Sequence, residues 1–223
     1  ENSNWCRILG AHDIPSLNAG LEMGYGVGAI QIAEALHERK YASIADMIGQ
    51  RRDKVKLVLI AGPSSSGKTT TSMRIALQLK IVGLNPVVVA MDDYFVERDK
   101  TPLDENGQHD FESVYALDIP KLNGDLKSLF AGDEVELPKF DFTTGKSNPS
   151  GVKVKMAPND VLIMEGIHAL NPVLTKEIEE EKKFKVYAAA LTTSSIDENN
   201  YVSTTVLRLI RRFVRDNFFR NYS

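Results

Sequence analysis

A glycine-rich segment directly after a short apolar run constrains the fold of this chain more than any other feature. Residues 55–61 (VKLVLIA) are rich in β-branched and aliphatic side chains, which is typical of a buried parallel strand. Residues 62–69 read GPSSSGKT, and the helical pattern that follows reaches Val82 and ends at Gly83. Such a loop aims backbone N–H groups and a helix N-terminus at one point, where phosphate oxygens bind well.

Two side chains of this segment suit a phosphate ligand. The spacing G-x-x-x-x-G-K-[ST] places Lys68 where its ammonium reaches the outer phosphates and Thr69 where its hydroxyl ligates Mg²⁺. The segment therefore predicts a nucleoside triphosphate with magnesium as the ligand. The expected nucleotide-binding residues are Gly62, Ser64, Ser65, Ser66, Gly67, Lys68, Thr69 and Thr70.

The rest of the chain alternates apolar runs with helical patterns, which predicts an α/β fold with a parallel sheet covered by helices on both faces. We expect further strands over 87–91, 161–164 and 186–191, and helices over 116–130 and 172–183. Two stretches around a turn-rich segment predict a β-hairpin from 135–142 and 152–156. Helical spacing also occurs near 30–37 and 43–48, and a basic helix is expected over 203–219.

Acidic residues follow two of the predicted strands. Asp92 and Asp93 come directly after the second strand, and Glu165 ends the third. Open parallel sheets bind ligands at the carboxyl ends of their strands, so these carboxylates are candidates to accept a proton or to hold magnesium. A helix cap or turn is the alternative interpretation of the two aspartates, and an ordinary strand end is the alternative for Glu165.

The last predicted helix is rich in arginine. Arg208, Arg211, Arg212 and Arg215 lie three or four residues apart, so most of them share one helix face. Guanidinium groups suit phosphate recognition and stabilise the charge of a transferring phosphoryl group. A solvated basic face is the alternative interpretation.

Composition narrows the class of partner. The 223 residues carry a formal net charge of −3, which gives no global basic field for nucleic acid. Cys6 is the only cysteine, so an intramolecular disulfide and a cysteine-based zinc site are excluded, and a reducing cytoplasm is favoured. No apolar run approaches the roughly 18 residues that cross a bilayer. We expect a soluble, cytoplasmic protein that binds a small molecule and neither nucleic acid nor membrane; a homo-oligomer is compatible with the sequence.

From about Lys54 to its end, the chain resembles the uridine kinase and phosphoribulokinase family of phosphate-loop kinases. The segments that carry the resemblance are GPSSSGKTT, MDDYF, HDFESVYALD, VELPKFDFTTG, VLIMEGIHAL and RLIRRFVRD. The resemblance implies a three-layer fold of the phosphate-loop NTPase type with a substrate-side β-hairpin and an arginine-rich lid helix. It also implies ATP-dependent transfer of the γ-phosphoryl group to the 5′ hydroxyl of a nucleoside.

The resemblance further implies roles for individual residues. Asp92, rather than Asp93, takes the position of the catalytic base. The other implied catalytic residues are Lys68, Arg211, Arg212 and Arg215. Magnesium is expected at Thr69, Glu165 and Asp92, and the nucleoside at Tyr94, Phe111, Glu112 and Phe140.

Three positions of the hairpin depart from the pattern of uridine and cytidine kinases. Phe140 stands where Tyr is common, Gly145 where His is usual, and Ser147 where Arg is expected. Those groups help to hold a pyrimidine, so phosphoryl transfer is expected while the preferred base stays open. Two alternatives remain: a kinase for another small hydroxyl compound, such as a phosphorylated sugar or pantothenate, and a non-catalytic regulatory module that binds ATP.

The resemblance also suggests how the chain is organised. Residues 54–223 are expected to form the kinase domain. Residues 1–53 are expected to be a helical appendage or the end of an upstream domain, similar to the threonyl-tRNA-synthetase-like region of longer bacterial forms. Because kinases of this family add at least one strand and one helix after the lid, we expect the domain to be truncated at its C-terminus.

Overall fold

The computed structural model describes residues 2–190, 195–196 and 200–220. Its helices are α1 (Asn2–Ile8), α2 (Ile14–Glu22), α3 (Gly26–Gly49), α4 (Lys68–Ile81), α5 (Ile119–Ala131) and α6 (Thr204–Arg220). Its strands are β1 (Leu57–Ala61), β2 (Asn85–Ala90), β3 (Glu134–Asp141), β4 (Lys146–Lys155), β5 (Asp160–Gly166) and β6 (Lys183–Tyr187). Within these described ranges, no helix is both long and apolar enough to span a membrane.

The chain divides into two compact units. The sheet unit comprises residues 41–62 and 68–188. The helical unit comprises residues 1–40 and 63–67 and the described part of 189–223. The predicted division of the sequence between residues 53 and 54 stays a prediction.

The sheet unit is built on four parallel strands in the order β2-β5-β1-β6. All five residues of β1 are buried, as expected of an apolar run inside a parallel sheet. On one face, Leu57 and Leu59 pack with α5. On the other, Val58 and Ile60 pack with α4 and the end of α3. The predicted α/β fold, a parallel sheet with helices on both faces, is confirmed.

The hairpin of β3 and β4 is an antiparallel pair in which Phe140 lies opposite Ser147. It pairs over a longer stretch than the sequence predicts, because residues 146–151 continue β4 and do not form a loop. A register shift between Glu136 and Pro138 accommodates the facing pair Pro138 and Pro149. The turn at the tip is therefore short.

Two segments of the sheet unit correct the sequence predictions. Residues 172–183 do not form a charged helix; they contain two short 3₁₀ turns, Pro172–Thr175 and Glu180–Lys182. The strand after them is β6, which begins earlier than predicted because Lys183 pairs with Leu57 of β1. It ends at Tyr187, and the predicted end of this strand at residue 191 lies outside the described residues.

Helix boundaries differ from prediction where capping decides them. α5 begins later than residue 116 because the carboxylate of Asp118 accepts a hydrogen bond from the Lys121 backbone N–H at 2.9 Å. The two helices predicted near 30–37 and 43–48 are one continuous helix, α3, since the residues between them include no glycine or proline. The final helix, α6, lies within one residue of its predicted bounds.

Candidate active site

The loop after β1 carries backbone strain and unsatisfied hydroxyl groups. Ser65 adopts a left-handed conformation with φ of 59°, which is unfavourable for a residue with a side chain, and Gly67 has φ of 98°. The hydroxyl oxygens of Ser65 and Ser66 are buried and have no hydrogen-bond partner among the described residues. Buried polar groups of this kind are normally satisfied, so the loop fits a ligand that brings its own oxygen atoms.

Arginine side chains of α6 contact this loop within the helical unit. Arg211 donates from Nε to the backbone carbonyl of Ser65 at 3.1 Å, and Arg208 donates to that of Ser64 at 3.4 Å. A Cβ atom added at Gly67 would lie 3.6 Å from the Arg211 guanidinium. This is an ordinary contact distance, so the positive φ of Gly67, rather than the approach of the guanidinium, is what favours glycine at this position.

The other two predicted lid arginines are engaged on their own helix. Arg215 pairs with Asp216 at 2.8 Å, and Arg212 pairs with the same carboxylate at 3.5 Å. The sequence interpretation gave no role to Asp216, although the i, i+4 spacing to Arg212 was a visible signal. The structure thus distinguishes Arg211, which contacts the loop, from the pair that Asp216 holds.

In the sheet unit, the predicted magnesium ligands Thr69 and Glu165 meet. The Thr69 hydroxyl donates a hydrogen bond to the Glu165 carboxylate at 2.7 Å. Sheet order explains the meeting, since Glu165 lies in register with Ile60 of β1 on one side and with Ala90 of β2 on the other. The segments that follow these two strands therefore flank Glu165 at the carboxyl edge of the sheet.

Gly166, next to Glu165, is required by close packing. A Cβ atom at this position would lie 2.7 Å from the Cβ of Met91, which a folded backbone does not tolerate. Met91 begins the 3₁₀ turn Met91–Tyr94, which carries Asp92. The glycine thus lets the turn with Asp92 approach the end of β5, a packing reason that the sequence alone did not reveal.

Asp92 is accessible to solvent, yet the protein around it alters its titration. Desolvation raises the pKa of the Asp92 carboxyl most, and the negative charges of Glu165 and Asp93 raise it further. The positive charges of Lys68 and His168 act in the opposite direction. A carboxylate with a raised pKa is a better proton acceptor near neutral pH. Asp92 therefore has the electrostatic setting of a general base.

His168 is a residue to which the sequence analysis gave no role. Its Nε2 lies 2.6 Å from the backbone carbonyl of Glu112, which can only accept, so Nε2 donates. The hydrogen bond ties the segment with Phe111 and Glu112 to the residues that follow β5. Phe111 is 42% exposed, and its ring lies 6.1 Å from that of His109. The short spacing from Glu165 to His168 was the available signal.

Two of the predicted acceptor-binding aromatic residues are buried. Tyr94 is 3% exposed and donates its hydroxyl hydrogen to Asp125 at 3.0 Å. Burial and the charge of Asp125 raise the pKa of Tyr94. Phe140 is 4% exposed. The structure therefore gives Tyr94 a packing role in the core, and its contact with an acceptor stays a prediction.

The remaining loop positions differ in exposure. Gly62 is buried at the end of β1, whereas Ser64 and Thr70 are exposed. Among the described residues, no three His, Cys, Asp or Glu side chains group closely enough to hold a metal ion by themselves. Magnesium commonly binds one or two protein groups together with substrate phosphates, and Thr69 and Glu165 fit that pattern.

One cavity of the sheet unit lies away from these carboxylates. A cavity of about 400 Å³ is lined by residues that precede strands, among them Lys56, Pro158 and Lys182. It lies at the amino edge of the sheet, the opposite edge from Glu165.

A parallel sheet, a GPSSSGKT loop and carboxylates at the adjacent strand ends define a phosphate-loop protein. Comparison with known proteins gives the family. The profile of the Phosphoribulokinase / Uridine kinase family matches residues 57–223. The chain belongs to this family. It is an ATP-dependent phosphotransferase that acts on a hydroxyl group of a small molecule, and its recognition as a member of the family from sequence is confirmed.

Individual relatives agree with the assignment. The chain is 30% identical over 161 residues to the uridine kinases of Staphylococcus aureus strains JH9 and Newman, covering 72% of this chain and 68% of each relative. A solved structure titled "Structure of a Possible Uridine Kinase from Bacillus stearothermophilus" superimposes with a TM-score of 0.52 and 22% identity, covering 78% of this chain and 88% of that one. The latter likeness supports the fold.

Proposed function

We propose that the protein is a nucleoside kinase that transfers the γ-phosphoryl group of ATP to the 5′ hydroxyl of a nucleoside. One observation carries the proposal: Asp92 titrates under the influence of Glu165 and Lys68, so a proton acceptor, a metal ligand and a phosphate-binding cation share one edge of the sheet. The similarity to uridine kinases supports a nucleoside as the acceptor.

Phosphoryl transfer requires positioning and charge neutralisation more than covalent chemistry by the protein. In our proposal, the loop residues and Lys68 bind the phosphates, and Arg211 adds positive charge at the loop. Asp92 accepts the proton from the attacking hydroxyl as the new P–O bond forms, while the bond from the γ-phosphorus to the β–γ bridging oxygen breaks and ADP leaves with the bonding electrons. A Mg²⁺ ion held by Thr69 and Glu165, with Asp92 near, would neutralise charge on the phosphate oxygens.

The acceptor is expected on the side of Phe111, Glu112 and the β3–β4 hairpin. Phe140 lacks the phenolic hydroxyl of the usual tyrosine, Gly145 lacks the imidazole of the usual histidine, and Ser147 lacks the guanidinium of the expected arginine. A site without such buried hydrogen-bonding groups discriminates weakly between bases. We therefore expect uridine and cytidine to be accepted with less preference over purine nucleosides than in a uridine kinase with the usual residues.

An assay of ADP formation tests the proposal. ATP and Mg²⁺ are supplied with uridine, cytidine, adenosine or guanosine, or with a phosphorylated sugar or pantothenate, and without acceptor. Nucleoside-dependent ADP formation supports the proposal. ADP formation only with the sugar or pantothenate would replace the nucleoside with another hydroxyl compound. ATP binding without turnover on any acceptor would favour a regulatory module.

A further inference from the structure

We propose that Asp93 and Arg98 are positioning residues that fix the β3–β4 hairpin to the segment 91–100, which carries Asp92. We call this segment the base loop. The proposal rests on the proposed function, in which the hairpin lies on the acceptor side. It adds two residues that determine how the acceptor is held relative to the base.

The first link joins Asp93 to β3. Its carboxylate pairs with the ammonium of Lys139 at 3.0 Å and accepts a hydrogen bond from the Phe140 backbone N–H at 3.4 Å. The side chain of Asp93 is 17% exposed, whereas that of Lys139 is 65% exposed. A carboxylate withdrawn from water needs these partners. Because Asp93 follows Asp92 directly, the link sets the distance between the base and the hairpin.

The second link joins Arg98 to the tip of the hairpin. The Arg98 backbone N–H donates to the carbonyl of Gly145 at 2.9 Å, and its guanidinium donates to the carbonyl of Phe142 at 2.8 Å. Gly145 has φ of 69°, and a Cβ atom there would lie 2.8 Å from the Cβ of Arg98. Glycine is thus required by backbone conformation and by contact, and a histidine side chain does not fit in this arrangement.

Aromatic rings fill the space between the two links. Phe95 of the base loop lies 5.6 Å from Phe140 and 6.0 Å from Phe142, measured between ring centroids. Phe140 and Phe142 lie 5.0 Å apart. The two pairs with Phe142 are edge-on and the Phe95–Phe140 pair is tilted, and aromatic contacts at these separations stabilise a fixed arrangement. The hairpin and the base loop therefore form one preassembled wall.

This arrangement predicts which kinetic constant changes. Loss of either link lets the hairpin shift against Asp92, which weakens acceptor binding and leaves the phosphate loop intact. We expect Asp93→Asn and Lys139→Met each to raise the KM for uridine about tenfold, the effect of losing one charge-assisted hydrogen bond. The KM for ATP should change less than about twofold by the same reasoning. Because both changes break one pair, the double variant should be no worse than the worse single variant.

The test compares these variants with Lys153→Met. Lys153 pairs with Glu134 at 3.1 Å on the same hairpin, away from its tip, so it is a matched control that should leave all constants unchanged. Additive effects of Asp93→Asn and Lys139→Met, or equal effects of Lys139→Met and Lys153→Met, would overturn the first link. Arg98→Ala, with Arg98→Lys as the conservative variant, tests the second link in the same assay; an unchanged uridine KM in Arg98→Ala would overturn it.

A measurement without substrate separates this proposal from the proposed function. Hydrogen exchange of the amides at 139–147 should be faster in Asp93→Asn and Arg98→Ala than in Lys153→Met, at unchanged exchange in β1 and β5. Unchanged exchange at the hairpin would overturn the proposed roles of Asp93 and Arg98, even if the enzyme turns over uridine. Faster exchange without uridine turnover would support the roles of Asp93 and Arg98 and reject uridine as the acceptor.

Discussion

The phosphate loop and the β3–β4 hairpin satisfy their polar groups in opposite ways. In the loop, the hydroxyl oxygens of Ser65 and Ser66 are buried and have no partner among the described residues. At the hairpin tip, the carboxylate of Asp141 accepts hydrogen bonds from the backbone of Thr143 at 2.8 Å and from the Thr144 hydroxyl at 2.8 Å. The hairpin completes these hydrogen bonds with protein groups, both its own and those of the base loop, whereas the phosphate loop is built to complete them with a ligand.

This difference indicates where ligand binding energy is used. A loop held in a strained conformation with unsatisfied groups gains stability when phosphate oxygens arrive. A hairpin already held by protein contacts, its own and those of the base loop, gains little and instead supplies a fixed surface. We therefore expect ATP to order the loop and the acceptor to meet a wall that already exists.

The largest expected effect is on chemistry next to the hairpin wall. Asp92→Asn should lower kcat about 10²- to 10⁴-fold, the range for loss of a general base, with ATP affinity largely kept. Asp93→Asn should reduce kcat much less, because we assign Asp93 to positioning. Steady-state kinetics with the acceptor found in the ADP assay measure both. A larger loss of kcat for Asp93→Asn than for Asp92→Asn would show that Asp93, and not Asp92, is the general base.

A smaller effect is expected at the phosphate loop. Lys68→Ala removes the cation that we assign to the outer phosphates, and affinity for Mg²⁺-ATP should fall about 10²-fold, as expected for loss of a charge-assisted contact in a desolvated site. Lys80→Ala, at the other end of α4, is the matched control and should bind normally. Titration calorimetry provides the comparison, and wild-type affinity in Lys68→Ala would reject the phosphate-loop assignment.

The smallest effect concerns stability without ligand. The pKa of Asp92 is raised in the folded protein, so the cost to stability starts as pH rises through the ordinary value of 3.8 and is complete once pH exceeds the raised pKa. Below its ordinary value of 3.8, the carboxyl is protonated in both states and the cost is absent. Asp92→Asn should therefore raise Tm slightly at pH 7, since solvent screens an accessible carboxylate, and leave Tm unchanged below pH 3.8.

Thermal unfolding at several pH values measures this difference. A Tm for Asp92→Asn that lies below that of the wild type at pH 7 would contradict the electrostatic strain that we infer at this edge of the sheet.

Much of the fold could be predicted because local patterns and tertiary packing agree there. The apolar run of β1 and the glycine-rich loop after it predicted a strand, a loop and a helix, and the structure has β1, the loop and α4 in that order. The buried position of β1 in the sheet agrees with its apolar sequence. The helix predicted over residues 172–183 was wrong because local pattern and tertiary structure disagree there. Their helical composition gives only two short 3₁₀ turns, and the last residue of the segment, Lys183, pairs with Leu57 at the start of β6.

The candidate site also contains features that the sequence predicts and features that it does not. Thr69 and Glu165 could be predicted as neighbours because parallel strands align their carboxyl ends, and the two side chains do meet. The hydrogen bond from His168 to the Glu112 carbonyl joins residues 56 positions apart and leaves no local pattern. The burial of Tyr94 against Asp125 likewise depends on where α5 packs, which no motif encodes.

Hydrogen exchange with and without Mg²⁺-ATP tests the contrast between loop and hairpin most directly. We predict that Mg²⁺-ATP slows exchange of the amides at 64–69, where strain and unsatisfied hydroxyls lie, and leaves the hairpin amides at 134–155 unchanged. Lys68→Ala should lose the protection at the loop. Protection of the hairpin with no change in the loop would contradict our account of both regions.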